Sequence, residues 1–577
     1  MNSVRRNTLG TPQPGGRLLS AGDIVILIGL AVVLYAGLRL AIPLPTPVIG
    51  PEINLSASAL PWYALLSVTR MTVAYFLSLS FSLVYGYIAA RNKSAERIML
   101  PILDVLQSLP ILSFLPVVLL SLSALLPQGF AAEIAAVILI FTSQAWNLTF
   151  SFYQSVRTVP GDLQEASEIF RMNWWYRLRH MELPFGALAL LWNSVMSWAG
   201  GWFFLMAAET FKVGSRDFRL PGLGSYLQKA ANDGNTTAIV LGVLTLVSLV
   251  VLLDQLVWRP LLAWAEKFKI ELVENDNPPT SWFFEVTGQS RLATGFTSRV
   301  VVPIVEALDR KFGGSFKEQF APTTNAIPFW RKALRNGLLV LVAGVLIYGG
   351  FRAIQLLITV PLSGWGEIIV AVLATGARVA AALIIGVLWT VPVGVVIGTN
   401  PRMATLLQPV VQILASIPAT ALFPIMLLVL VNLPFGLNAA AILLMLLGTQ
   451  WYVLFNVIAG ASALPQDLKD IATMFKVGGW LRWKTLLLPA LFPYLITGLI
   501  TAGGGAWNAS IVAEYTEFNN KTYTVTGLGA IISQATAKAD YGLLLAGTLT
   551  MIGVVIMLNR FFWRRLYRLA EERYRMD

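Results

Sequence analysis

Among the ionisable residues inside stretches otherwise apolar enough for a bilayer, Arg70 with Arg378 and Glu209 with Glu514 recur at matching places in the two halves of the chain. A charge at membrane depth is costly, so it is kept where it is paired or where it faces a polar pathway. Arg70 and Arg378 fall near the outer end of the second apolar segment of their halves of the chain, Glu209 and Glu514 near the outer end of the fifth. Two readings are open. Each Arg–Glu set can be a structural pair, with the arginine stem snorkelling towards an interface. Alternatively the four line a translocation path, where the arginines attract an anion and the glutamates orient them. Trp202 and Trp507 adjoin Gly-rich stretches, Gly200-Gly201 and Gly503-Gly504-Gly505. Such residues serve close helix packing by default or line a pore.

A second group of polar residues lies between the fourth and fifth apolar segments of each half: Asp162, Glu165, Ala166, Ser167, Phe170 and Arg171, then Asp467, Asp470, Ala472, Phe475 and Lys476. Leu163, Ala166, Phe170, Trp174, Leu178 and Met181 recur at three- and four-residue steps, which predicts an amphipathic helix. Asp162 with Glu165, and Asp467 with Asp470, have the spacing of a capping box, and the basic face can meet anionic lipid. Enzyme chemistry has little to work with. The chain has no Cys and one His, His180, so thiolate or histidine metal centres are excluded, and carboxylates do not cluster at membrane depth. No G-x-x-x-x-G-K-[ST] phosphate loop occurs. We expect no catalytic residue, no metal and no cofactor.

The elements that must position these residues are membrane spans. Of 577 residues 56% are hydrophobic and 12% charged, against about 25% charged in soluble domains, and mean hydropathy is +0.68. A span needs about 20 mostly apolar residues. The candidates are 22–44, 62–90, 108–127, 132–153, 184–210 and 237–258, then 334–360, 367–398, 415–432, 437–460, 489–513 and 541–563. The first is too long for a cleavable signal peptide. Most of the 42 basic residues fall in the segments assigned to one side, whereas 45–61 carries none. This bias puts both termini in the cytoplasm and makes the net charge of +12 a mark of orientation rather than of nucleic-acid binding.

The two groups of six are copies. Pro101, Ser108, Pro110 and Pro116 recur as Pro409, Ser416, Pro418 and Pro424. After a three-residue slip, Trp146, Pro160, Asp162, Trp175, Pro184, Trp202, Glu209, Gly222-Leu223-Gly224 and Trp258 recur as Trp451, Pro465, Asp467, Trp480, Pro489, Trp507, Glu514, Gly527-Leu528-Gly529 and Trp563. An even number of spans per copy makes this a parallel repeat. The expected fold class is all-α: a polytopic membrane protein of about twelve transmembrane helices in two parallel six-helix repeats. Its parts would be a cytoplasmic head (1–21), a first repeat (22–264), a cytoplasmic linker (265–333) with a short amphipathic helix near 300–312, and a second repeat (334–577). The prolines should break or kink the third span of each half.

The loop sequences resemble the Glu-Ala-Ala loop of permease subunits in bacterial ATP-binding-cassette importers. Glu165, Ala166, Ser167, Leu183 and Pro184 fit that pattern in the first copy, and Asp470, Ala472, Leu488 and Pro489 in the second; both depart at the pattern's Gly, where Arg171 and Lys476 stand. The run from Leu488 to Leu499, with Ala506-Trp507 and Val512-Ala513-Glu514, is similar to permeases of the nitrate, sulfonate and taurine group. The resemblance covers about 60–265 and 365–575. It implies a type I importer permease in the bacterial inner membrane, with two permeases fused in one chain. Each loop would form a coupling helix on one of two cytoplasmic ATPase subunits. A periplasmic or lipid-anchored substrate-binding protein would deliver a small inorganic or organic anion. An ion-coupled secondary transporter also commonly has two parallel halves, but it would need carboxylates deep in the bundle, and none stands out. A membrane-embedded enzyme lacks the side chains.

Overall fold

The structure, a computed structural model, describes residues 21–41, 50–107, 110–213, 216–268, 283–285, 299, 302–312, 329–462, 464, 466–518 and 521–573. The expected N-terminal head, apart from Ala21, most of the linker, and Ser108 lie outside the described residues.

The first half consists of α1 (Ala21–Ala41), α2 (Leu60–Arg91), α3 (Lys93–Gln107), α4 (Ile111–Leu125), α5 (Gln128–Arg157), α6 (Gly161–Ile169), α7 (Trp174–Arg177), α8 (Leu183–Glu209), α9 (Leu223–Asn232), α10 (Thr236–Leu253) and α11 (Arg259–Glu266). The linker contributes α12 (Val302–Phe312), where the amphipathic helix was expected. The second half repeats the series as α13 (Phe329–Ile358), α14 (Leu362–Thr399), α15 (Pro401–Ser416), α16 (Ala419–Leu430), α17 (Gly436–Ser462), α18 (Gln466–Met474), α19 (Gly479–Arg482), α20 (Leu488–Ala513), α21 (Leu528–Ala537), α22 (Tyr541–Leu558) and α23 (Arg564–Arg573). Short hairpins β1–β2 (Lys212–Val213, Arg216–Asp217) and β3–β4 (Tyr515–Phe518, Lys521–Thr524) follow α8 and α20. Periodicity had not signalled these hairpins.

The spans are apolar outside and small or polar inside. On α2, Leu65, Val73, Phe76, Leu77, Val84 and Ile88 are exposed, while Ser67, Arg70, Ala74, Ser78, Ser82 and Gly86 are buried. Lipid is as apolar as leucine, so helices associate through close packing and hydrogen bonds rather than hydrophobic exclusion. Ser78 and Ser82 accordingly donate across to the carbonyls of Phe141 and Ala145 on α5, at 3.2 and 3.0 Å. A Cβ on Gly86 would come within 3.1 Å of Phe152, and one on its counterpart Gly394 within 2.7 Å of Val457. The repeat thus keeps the same tight crossing twice.

Among the described residues eight helices are long and apolar enough to cross a membrane, or ten when each of two bent pairs counts as one span. In each bent pair the break falls at the start of an expected third span (108–127, 415–432), while the span helix itself, α4 or α16, continues through Pro116 or Pro424. α3 and α4 meet at 97°, α15 and α16 at 81°, with Pro110 and Pro418 at the N-caps of the second members. A proline lacks the amide that would continue the ladder. Pro116 and Pro424 lie inside α4 and α16. α1 and α13, helices of 21 and 30 residues, stand where the other two spans were expected.

The halves exchange these broken segments. α4 packs on α20, α21 and α22 of the second half, and α16 packs on α8, α9 and α10 of the first. π-helical turns also recur in register, at Leu178–Glu182 and Trp483–Leu487, and at Asp254–Trp258 and Asn559–Trp563. Turns of this kind are inserted where a helix needs a local re-aim; the first pair sits where α7 and α19 run into α8 and α20.

Candidate functional site

The ionisable residues at membrane depth form two matching clamps. In the first, the buried carboxylate of Glu209 accepts from Arg70 Nη1 at 2.8 Å, Ser67 Oγ at 2.7 Å and the amide of Gly224 at 2.7 Å. Arg70 also donates to the Pro221 carbonyl at 2.8 Å, and its Nε and Nη2 grip Glu133 at 2.6 and 2.7 Å. In the second, Glu514 accepts from Arg378 Nη1 and Thr375 Oγ1, both at 2.8 Å, and from the amide of Gly529 at 2.9 Å. Arg378 donates to the Thr526 carbonyl at 2.7 Å and to Asn438 at 2.9 Å. Ser67 and Thr375 in turn accept from the amides of Leu223 and Leu528 at 3.0 and 2.8 Å.

Each clamp therefore ties the second, fourth and fifth spans and the start of the half-helix α9 or α21. The carboxylate lies at the N-terminus of that half-helix, where free amides and the helix dipole favour an anion. Glycine is required by close approach: a Cβ on Gly222 or Gly527 would lie 2.2 Å from the glutamate oxygen. Arg70 and Glu209 are 4% and 0% exposed, Arg378 and Glu514 9% and 0%. Trp202 and Trp507 are also buried, in the core beside the clamps.

Beside the clamps lies a cavity of about 180 Å³ shared by the two halves. A water needs about 10–15 Å³ in such a space, so it has room for on the order of ten. Lys212, Arg219, Gln228 and Asn232 line it from the first half, and Ser533 and Thr536 from the second. None of Arg70, Trp202, Glu209, Arg378, Trp507 and Glu514 lines it; Thr210 and Tyr515, the next residues after the two glutamates, do. Arg219 is held by Asp217 at 2.6 Å. The positions equivalent to Lys212 and Arg219 are Glu517 and Thr524, so the basic side of the cavity belongs to the first half.

At the far end of α8, about 40 Å away at 1.5 Å per residue, the loop expected as one amphipathic helix from Leu163 to Met181 is instead divided into α6 and α7 by a left-handed turn at Arg171. α6 and α18 each close in the same left-handed turn. Arg171 has φ 48° and Lys476 φ 51°. The amides of Met172 and Val477 return to the carbonyls of Ser167 and Ala472 at 2.9 and 2.8 Å, and those of Arg171 and Lys476 to Glu168 and Thr473 at 3.0 Å. This is a Schellman closure, which usually has Gly at that position. The two positions are those at which the sequence departs from the family's Gly. Ile169 and Phe170 at one tip, and Met474 and Phe475 at the other, are 74–80% exposed. Asp162, Glu165 and Asp470 are exposed, Ala166 is half-buried, and Ser167 and Ala472 are buried underneath; the Asp467 side chain lies outside the described residues. The capping box suggested by Asp162 and Glu165 does not form, because Pro160 occupies the N-cap and no side chain caps the helix.

A family sequence model described as binding-protein-dependent transport system inner membrane component matches residues 82–257 and again 390–576. The chain belongs to this family. The two matches start 308 positions apart, the offset of the repeated prolines. Among similar proteins, the nitrate import permease protein NrtB of Leptolyngbya laminosa is 31% identical over 137 residues, 24% of this chain and 48% of that protein. The bicarbonate transport system permease protein CmpB of Synechococcus elongatus is 28% identical over 190 residues, 33% and 65% of the two chains. The taurine transport system permease protein TauC of Escherichia coli is 25% identical over 193 residues, 33% and 66%. The chain thus spans between about half and two thirds of the length of these curated relatives.

Several clamp residues were not singled out from the sequence: Ser67 and Thr375, Glu133 and Asn438. The duplication held the signal, since each pair recurs in register as a polar residue in an apolar span. The basic cavity residues Lys212 and Arg219 carried no such mark, because they have no basic counterparts in the second half.

Proposed function

We propose that the chain is the membrane-spanning permease of an ATP-binding-cassette importer, with two permease units of about six spans each, 22–264 and 334–577, joined by the cytoplasmic linker 265–333. The observation that carries this reading is the pair of loops, each ending in two exposed apolar residues on an identical left-handed turn. Exposed apolar tips on a rigid turn are suited to a groove on a partner. That partner is an ATPase subunit, one per half. Phe170 and Phe475 insert; Asp162, Glu165, Arg171, Asp467, Asp470 and Lys476 form the polar rim; Ala166, Ser167 and Ala472 pack against the permease. ATP-driven approach of the two ATPases moves the loops, and α8 and α20 carry the movement to the opposite end of the bundle. Both termini lie in the cytoplasm, and the membrane is the bacterial inner membrane.

The path runs through the cavity between the halves, and the transported species is a small anion delivered by a separate binding protein. The substrates named for the relatives are anions or carry an anionic group at neutral pH, and Lys212 and Arg219 supply the matching charge. Arg70, Glu209, Arg378 and Glu514 act as positioning residues. They hold α9 and α21, which carry the polar lining, and Trp202 and Trp507 pack the spans behind. The test is co-purification of the ATPase with the permease. Phe170→Glu together with Phe475→Glu is expected to release the ATPase while the permease still inserts, and retention with unchanged ATP hydrolysis would reject the assignment.

A further inference from the structure

The duplicated loops differ in one respect that no repeat accounts for: the linker helix α12 is fastened to the first. Asp309 accepts from the Trp175 indole at 2.8 Å and forms an ion pair with Arg179. The Phe312 ring lies against Trp174 and Trp175, with centroids 5.8 and 5.5 Å apart, and Asn173 donates to the Phe312 carbonyl at 3.3 Å. A second fastener lies within the following π-turn, where the buried Glu182 pairs with Arg91 at the end of α2.

The second half keeps the receptor but not the fasteners. Trp480 and Lys484 stand where Trp175 and Arg179 do, yet Trp480 is 73% exposed and Lys484 is exposed too. Glu182 and Arg91 are replaced by Leu487 and Thr399; Leu487 is simply buried among apolar neighbours. Among the described residues, the turn from loop to span is held by two charged contacts in the first half and by neither in the second.

We infer that α12 is a built-in brace of the first loop, and that the two halves are unequal levers. The first loop and α8 move as one stiff unit; the second loop yields before α20 follows. An ion pair and an indole hydrogen bond beside edge-on and tilted aromatic contacts resist local opening, and a loop without them opens at a lower free energy. The two ATPase positions are therefore not interchangeable, although the tips they would contact are nearly the same.

The functional half of this inference rests on the coupling role proposed above; the fastening does not. The chain has no Cys, so paired cysteines can be introduced without removing others. In the full transporter in proteoliposomes, Asn173→Cys with Phe312→Cys is expected to cross-link, and Gly478→Cys with Phe312→Cys is not. Backbone hydrogen exchange over 170–182 is expected to be slower than over 475–487 by about three- to tenfold. Asp309→Asn should erase that difference by speeding the first segment alone, and Asp309→Glu should restore it. Asp309→Asn should also make Phe170→Ala and Phe475→Ala cost similar amounts of ATP hydrolysis, where in the native background they differ. Equal exchange in the two native loops, or cross-linking at residue 478 as strong as at 173, would overturn the brace. Release of neither ATPase by the tip substitutions would instead reject the coupling role and leave the exchange result standing.

Discussion

Arg70 donates to Glu209 across 139 positions of sequence at 2.8 Å, and Arg378 meets Glu514 at the same distance across 136. Neither pair is isolated. Each carboxylate also takes a hydroxyl and a backbone amide, and each arginine a residue of the fourth span, so the ion pair closes a network that joins four elements.

Removing Arg70 leaves the buried Glu209 carboxylate without its countercharge, which costs about 3–5 kcal/mol. Arg70→Met should lower thermal stability in detergent by that order, and Glu209→Gln by less, because Arg70 keeps its pair with Glu133. The double substitution should cost clearly less than the sum, because the orphaned charge disappears with its partner. Strict additivity would mean that the two do not act as a unit.

Glycine at 222 and 527 is a matter of space rather than of backbone conformation. Gly222→Ala and Gly527→Ala drive a methyl into the clamp carboxylate and should lose a few kcal/mol each. Gly366→Ala, in a helix where a Cβ meets nothing within 4 Å, should be neutral or gain up to about 1 kcal/mol. A thermal-unfolding series of the three variants checks the order.

Arg171 and Lys476 hold a left-handed backbone that costs a non-Gly residue about 1–2 kcal/mol. Gly there relieves this strain but loosens the unfolded chain by about 0.4–1 kcal/mol. Arg171→Gly and Lys476→Gly should therefore be neutral to about 1 kcal/mol stabilising, whereas Arg171→Val should destabilise. Calorimetry of the purified permease reads the sign.

The cavity reading is checked by filling it. Ser533→Trp and Thr536→Trp should abolish anion uptake into proteoliposomes while the complex with its ATPases still assembles. Uptake at the native rate in both would move the path elsewhere.

Hydrogen bonds from the Trp175 indole and from Arg179 hold the Asp309 carboxyl below its ordinary value. A depressed pKa means that the contact adds stability above the ordinary value of about 3.9 and loses it as pH falls through the lower, folded value. The distance between spin labels at 173 and 312 should therefore stay constant from pH 8 to about 5 and lengthen only below about 4. Lengthening near neutral pH would mean that another group holds the helix.

Much of the fold was legible in the chain itself, because a bilayer makes its demands locally. Each span needs its own run of apolar residues, a proline breaks the helix in which it stands, and a duplication repeats both signals in register. The breaks at Pro110 and Pro418 and the short helix at 302–312 follow from such near-neighbour rules, whereas the left-handed turn that divides each loop does not. The clamps were visible only as isolated charges. Whether Arg70 faced a path or a partner depended on where Ser67, Glu133, Glu209 and Gly224 arrive when four elements pack, and no spacing encodes that. The inequality of the halves was less legible still. Trp175 and Trp480 are identical letters in equivalent places, yet Trp175 bonds Asp309 of α12 while Trp480 is 73% exposed. Sequence determined which segments exist and that they exist twice; tertiary packing decided which charges are spent on each other and which copy is braced, because those outcomes depend on contacts between residues distant in sequence, such as Arg70 and Glu209 at 139 positions.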